Sequence, residues 1–228
     1  MPASPARAAS TAGTLVNASL VSSLNLPYGI AISGSDIFVA NSGANTIGEY
    51  TTSGGTIAAT LISGLSSARG VTVSGANLFV TNGGAIDEYT TSGALVHASL
   101  ISGLSSPYGI AVSGSNLFVV NGGSGTIGEY DAVTGATINA SLISGLTQAY
   151  SVAIAGTNLF VTSGGGSGTI AEYTTSGTLV NASLVSGLSS PVGLSVLAAI
   201  PEPSTWSLVT GCAVALIAIV RRRQDKTM

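Results

Sequence analysis

The chain has 228 residues, 45% of them apolar and only 7% charged, with 31 glycines. Residues 1–200 set Arg7 and Arg69 against seven carboxylates, a net charge of −5, so there is no basic face to displace the counterions of a nucleic acid. The single cysteine, Cys212, excludes an intrachain disulfide, and the regular apolar pattern argues for a packed core rather than wholesale disorder.

Residues 1–12, MPASPARAASTA, hold no apolar run of the kind a signal peptide needs, although Ala6-Arg7-Ala8 fits an A-x-A cleavage pattern. Two readings stand: the remnant of a signal peptide whose start lies upstream, or a plain disordered N-terminus. From residue 13 to 198 the chain repeats itself. A Glu-Tyr pair recurs at Glu49-Tyr50, Glu88-Tyr89, Glu129-Tyr130 and Glu172-Tyr173, at spacings of 39, 41 and 43 residues. A period near 40 means a stacked or radial repeat architecture.

The third repeat, PYGIAVSGSNLFVVNGGSGTIGEYDAVTGATINASLISGL over Pro107–Leu146, reads as four short strands. Tyr108–Ser113 is the first. Asn116–Asn121 is the second; its Leu117, Phe118, Val119 and Val120 are apolar on both faces, as in a strand covered on both sides. Thr126–Asp131 is the third. Ala136–Ile143 is the fourth, and its alternation predicts a half-buried outer strand with Ile138, Ala140 and Leu142 inward. Ser-Gly, Gly-Gly and Thr-Gly steps join the strands as tight turns, so each unit is an antiparallel meander.

Four such strands per period predict an all-β fold, the blade array of a β-propeller. Thr14–Leu24 matches a fourth strand. Four full sets follow, beginning near Tyr28, Arg69, Tyr108 and Tyr150, and Val192–Leu197 then repeats the first strand alone. The expectation is four complete blades plus a partial fifth. A parallel β-solenoid with two rungs per period is the alternative, and the hairpin turns argue against it.

Ile37–Tyr50, IFVANSGANTIGEY, resembles the NHL-type propeller repeat, with its pattern LYVAD-x-x-N-x-R-I-x-x-F. The resemblance covers about residues 13–197. The chain departs from it where Asn41, Asn82, Asn121 and Ser163 stand in place of the usual Asp and small residues replace the usual Arg, so ligand-binding roles do not carry over.

Residues 199–228 form a separate tail. Pro201-Glu202-Pro203 interrupts secondary structure, and Ser204-Thr205 offers a helix N-cap. Trp206–Val220 is uncharged over fifteen residues, about 22 Å as a helix against a hydrocarbon core of about 30 Å. Trp206 suits one interface, and Arg221, Arg222 and Arg223 suit the cytoplasmic one. This order of Pro-Glu-Pro, apolar helix and arginine cluster closely resembles the PEP-CTERM sorting tail of Gram-negative bacteria.

The resemblance implies an exosortase, a membrane protease that recognises Pro201, Glu202 and Pro203, with Arg221–Arg223 as the membrane-retention signal. It also implies an exopolysaccharide-producing, biofilm-forming host, and a protein held in the cytoplasmic membrane by its C-terminal helix before display or release. The chain departs from the pattern in the five residues Gln224–Met228 after the arginines, and in lacking the export signal that members carry.

Other constellations read as structure. The four glutamates lie on third strands, away from a channel; Asn41, Asn82 and Asn121 fit side-chain bonds to turn backbone. His97 stands where other repeats have Asn17, Ala58, Asn139 and Asn181, a tolerant surface position. The sequons at Asn17, Asn139 and Asn181 are products of the repeat, Cys212 is a small apolar residue of the tail, and Gly83-Gly84 and Gly122-Gly123 lack the lysine and helix of a phosphate loop.

The favoured reading is an exported, non-enzymatic surface or matrix protein with a binding or structural propeller, expected to need no metal or other cofactor and to meet exopolysaccharide or cell-surface components. The alternative is a lactonase- or lyase-type propeller with a divalent metal in its channel, for which Asp36, Asp87 and Asp131 are the irregular acidic candidates. A third reading is a degenerate fragment without a closed fold.

Overall fold

Each repeat folds into a four-stranded antiparallel sheet in simple meander order. The computed structural model describes residues 17–164, 167–197 and 215–220. The first blade is β1 (Pro27–Ser33), β2 (Asp36–Asn41), β3 (Thr46–Thr51) and β4 (Thr56–Ile62); the second is β5 (Val71–Ser74), β6 (Asn77–Asn82), β7 (Ala85–Thr90) and β8 (Leu95–Ile101). The third is β9 (Pro107–Ser113), β10 (Asn116–Asn121), β11 (Thr126–Asp131) and β12 (Thr137–Ile143); the fourth is β13 (Ser151–Ala155), β14 (Asn158–Ser163), β15 (Gly168–Thr174) and β16 (Leu179–Leu188). A two-stranded fifth sheet joins β17 (Pro191–Leu197) to β18 (Ala215–Val220). The inner strands β1, β5, β9, β13 and β17 succeed one another around a centre, and β17 reaches β1, closing the ring of a β-propeller.

The second strand of each blade explains the core. In β10, Leu117 and Val119 point back and pack with Phe79, Ile86 and Ile101 of the second blade. Phe118 and Val120 point forward and pack with Val152, Leu159 and Val161 of the fourth. A strand apolar on both faces is thus buried on both, each such side chain contributing about 1.5–3 kcal/mol when fully buried. The fourth strands differ from expectation. Ile138 is 52% exposed, and burial returns only at Ile143. Blades diverge with radius, so the outermost strand has no neighbouring blade to cover its faces. Its pairing with β11 is also broken by two irregularities.

Both chain ends correct the sequence reading. Residues 17–26 form no strand; among the described residues the fifth sheet has no third strand with which they could form a ladder. They still cap the first blade: Val21 and Leu24 pack on Ile37, Val39 and Tyr50. At the other end, the helix expected over Trp206–Val220 is replaced, in its described part, by β18. The run ALIAIV is rich in β-branched residues and pairs with the otherwise open edge of β17, from Pro191↔Val220 to Leu197↔Ala215. No helix among the described residues is long and apolar enough to cross a membrane. Pro201, Glu202, Pro203, Trp206, Cys212 and Arg221–Arg223 lie outside the described residues, as do residues 1–12.

Candidate functional site

Where the inner strands begin, they enclose a cavity of about 360 Å³ at one end of the channel. That is the lower end of the range for small-molecule sites, about 300–1,000 Å³. One repeat position supplies Tyr28, Arg69, Tyr108, Tyr150 and Val192, one from each blade, and the position two residues on supplies Ile30, Val71, Ile110, Val152 and Leu194. The residue between them is Gly29, Gly70, Gly109, Ser151 or Gly193. The glycines are required by close approach. A Cβ on Gly109 would lie 2.8 Å from both the Tyr150 carbonyl oxygen and Ser151 Cα, and one on Gly70 would collide with the Tyr108 carbonyl. Without side chains there, adjacent inner strands crowd together and a narrow ring becomes possible.

The rings touch. Tyr108 lies 5.4 Å from Tyr150 in an edge-on arrangement (81°) and 6.0 Å from Tyr28 at 34°, distances at which aromatic pairs attract. The Arg69 guanidinium carbon stands 4.3 Å above the centre of the Tyr108 ring, a cation–π contact. Thr81 Oγ1 accepts the N–H groups of Arg69 and Gly70 at 2.9 and 2.8 Å, fixing the backbone beneath that guanidinium. Gly122 makes room for the Tyr108 ring, which a Cβ there would strike. Arg69 is the only arginine or lysine among the described residues, and no carboxylate pairs with it there. Among the described residues no aspartate, glutamate or histidine lines the cavity.

The residues singled out from the sequence sit elsewhere. Glu49, Glu88, Glu129 and Glu172 lie on third strands, as expected, and do not meet. Asn77, Asn116 and Asn158 each donate an Nδ2–H to the glutamate of their own blade at 2.7 Å. The first blade has Asp36 at that position, and burial, then the Asp36 charge, pushes the Glu49 carboxyl above its ordinary value. His97 is exposed, as expected, yet its Nδ1 lies 2.6 Å from Glu88 Oε2. Asp87 is buried, accepts the Ser99 N–H at 2.7 Å and an Asn82 Nδ2–H at 2.6 Å, and is structural. Burial and the neighbouring Asp87 raise the Tyr89 hydroxyl. Asp131 caps a turn, and bonds from Thr134 and Val133 lower its carboxyl. Among the described residues no three His, Cys, Asp or Glu are grouped so as to hold a metal ion.

The asparagines divide. Asn82 Oδ1 accepts the Ser66 N–H at 2.7 Å, a bond to connecting backbone of the expected kind. Asn41 and Asn121 do not follow: their buried Oδ1 atoms have no hydrogen-bond partner. Each stands opposite a proline in the ladder, Pro27 or Pro107. In the sequons, the Oδ1 atoms of Asn17, Asn139 and Asn181 accept the N–H two residues on, a local turn bond. Sequence reasoning missed the cavity. Its signal was present: one column that reads Tyr, Arg, Tyr, Tyr, Val in otherwise near-identical repeats.

No protein-family model and no curated protein sequence matches the chain. Solved structures share its fold. A chain of the nidogen/laminin complex aligns with a TM-score of 0.60 at 17% identity, over 75% of this chain and 68% of that one. A streptogramin B lyase aligns at 0.58 and 21%, over 75% and 59%. Virginiamycin B lyase from Staphylococcus aureus aligns at 0.55 and 19%, over 74% and 59%. Identities this low speak for the fold alone, and that fold serves both a binding assembly and lyases.

Proposed function

We propose that the chain is an exported, non-enzymatic binding propeller of a bacterial envelope or matrix, delivered by its C-terminal segment. The observation that carries the binding reading is the cavity. It gathers the variable side chains of the repeat, three tyrosines and an arginine, and among the described residues no carboxylate or imidazole lines it. A hydrolase or lyase needs a proton donor or acceptor within reach of the scissile group. Tyrosine rings and a guanidinium, with no carboxylate or imidazole beside them to take up a proton, suit recognition rather than bond cleavage. Delivery rests on the order Pro201-Glu202-Pro203, apolar run, Arg221–Arg223, the mark of an exosortase substrate. In this reading Trp206–Val220 gives up its pairing with β17 to enter the cytoplasmic membrane until processing, and the propeller then meets exopolysaccharide or other surface components.

The test is peptide mapping of the mature C-terminus in envelope and medium of the native host. Export predicts peptides up to the Pro201–Pro203 region and none beyond it in the exported form. A chain intact through Met228 in the inner membrane would remove the processing route. The lyase-like neighbours favour a second reading, a lyase in which a substrate or metal supplies what the cavity lacks. Turnover of a bound ligand by the purified protein would establish it.

A further inference from the structure

We propose that the channel cavity binds a small carboxylate carried on a six-membered ring, with Arg69 holding the carboxylate and the tyrosines holding the ring. This rests on the binding reading above. Four observations support it.

The first is electrostatic. Arg69 is the only arginine or lysine among the described residues, and its guanidinium stands at the cavity with no carboxylate partner among them. The Tyr108 ring covers one face of it at 4.3 Å. A guanidinium carries its N–H donors in a planar fork that matches a carboxylate in bidentate geometry.

The second is shape. The Tyr108 ring stands 6.0 Å from Tyr28 at 34° and 5.4 Å from Tyr150 at 81°. The fifth position, between Tyr150 and Tyr28 in the ring, is the much smaller Val192. A flat or puckered ring can therefore lie against the tyrosines on one side and meet aliphatic side chains, Val192, Leu194 and Ile30 among them, on the other.

The third is size. A cavity of about 360 Å³ suits one ring with its substituents and not an extended chain.

The fourth is preorganisation. Arg69 rests on a backbone pinned by two bonds to Thr81 Oγ1, and Tyr108 lies against Gly122. These side chains need little ordering on binding, so the entropic cost is small.

Two kinds of compound share this chemistry, a sugar acid and an aromatic acid, and the experiment separates them. The full-length protein is titrated with glucuronate, benzoate, glucose and acetate, following tyrosine fluorescence and heat. The expected result is saturable binding of glucuronate or benzoate at least tenfold tighter than glucose, which lacks the charge, and acetate, which lacks the ring. The glucuronate-to-benzoate ratio then names the source: preference for glucuronate means that the tyrosine hydroxyls and glycine backbone bond to ring hydroxyls.

In Arg69→Gln the ring carboxylate should bind at least tenfold more weakly, while glucose is unchanged. Tyr108→Phe keeps the ring and the fold, and should weaken glucuronate more than benzoate. Equal binding of all four compounds, no binding of either ring carboxylate, or an Arg69→Gln protein that binds as the parent does would overturn the proposal. None of those results touches the non-enzymatic reading. That reading falls on a different outcome, a bound compound recovered with changed mass.

Discussion

Asp36 shows how one side chain can break the pattern of a repeat. In three blades an asparagine donates to the glutamate across the hairpin, and in the first blade Asp36 repels Glu49 instead. Replacing Asp36 with asparagine should restore the bond and remove the repulsion. A gain of about 0.5–1 kcal/mol at pH 7 is expected, the low end for a hydrogen bond because solvent screens the site. For a domain of this size that is a rise of about 1–4 °C in melting temperature, read by calorimetry. The pH dependence has a definite sign. Glu49 has a folded-state value above its ordinary 4.5, so the native state holds that proton more tightly than the unfolded chain does. The stabilisation from protonation is complete below about 4.5 and is lost as the pH rises through the raised value. The advantage of Asp36→Asn should therefore be full at neutral pH and shrink on acidification through that window. An unchanged melting temperature at pH 7 would mean that the two carboxylates do not interact. The cavity residues were hidden at this scale for a related reason. Tyr28, Arg69, Tyr108, Tyr150 and Val192 look like drift at one column, and only closure of the ring turns that column into a lining.

At the scale of the element, the second and third strands were legible to the residue. Asn116–Asn121 and Thr126–Asp131 are as the apolar pattern and turn residues predict. The second strand is constrained on both faces and its hairpin is set by Ser-Gly and Gly-Gly steps, so local sequence leaves it one register. The outer strands were read as half-buried because alternation reports which residues share a face, not whether anything covers that face. The tail shows the other limit. A run such as ALIAIV is apolar throughout, and periodicity cannot separate helix from strand in it. Its strand form supplies β17 with a ladder partner. Processing after Pro203 would remove β18, so the four blades and β17 must stand without it. Deleting residues 204–228 should leave a single cooperative melt. A loss of about 1–2 kcal/mol for the missing ladder would lower the melting temperature by roughly 2–8 °C. A broad, non-cooperative melt would show instead that β18 is needed for the fold, and the delivery reading would fail with it.

For the whole molecule the weak point is the seam between the fifth sheet and the first blade. On β1, Ile30 is 54% exposed, whereas its counterparts Val71, Ile110 and Val152 are at 5–7%; Ile32 is 60% exposed, where Val73, Val112 and Ile154 are half-buried. The difference follows from the fifth sheet having two strands where the others have four. Four blades, their order and the incomplete fifth were readable from the count of repeats. That β17 reaches β1 was not, because closure depends on the angle between successive blades, and no single repeat encodes it. The crowded glycines at Gly29, Gly70 and Gly109 are its main local trace.

Closure is also what creates the cavity, so it is the claim to test most directly. In a Cys212→Ser background, cysteines introduced by Ile30→Cys and Ser195→Cys both line the cavity, from β1 and β17. A short bis-maleimide should join them within one chain, giving a cross-linked monomer by mass and by migration after denaturation. If only singly modified chains and cross-linked dimers form at dilute protein, the array is open, and the ring, the cavity and the ligand site fall together.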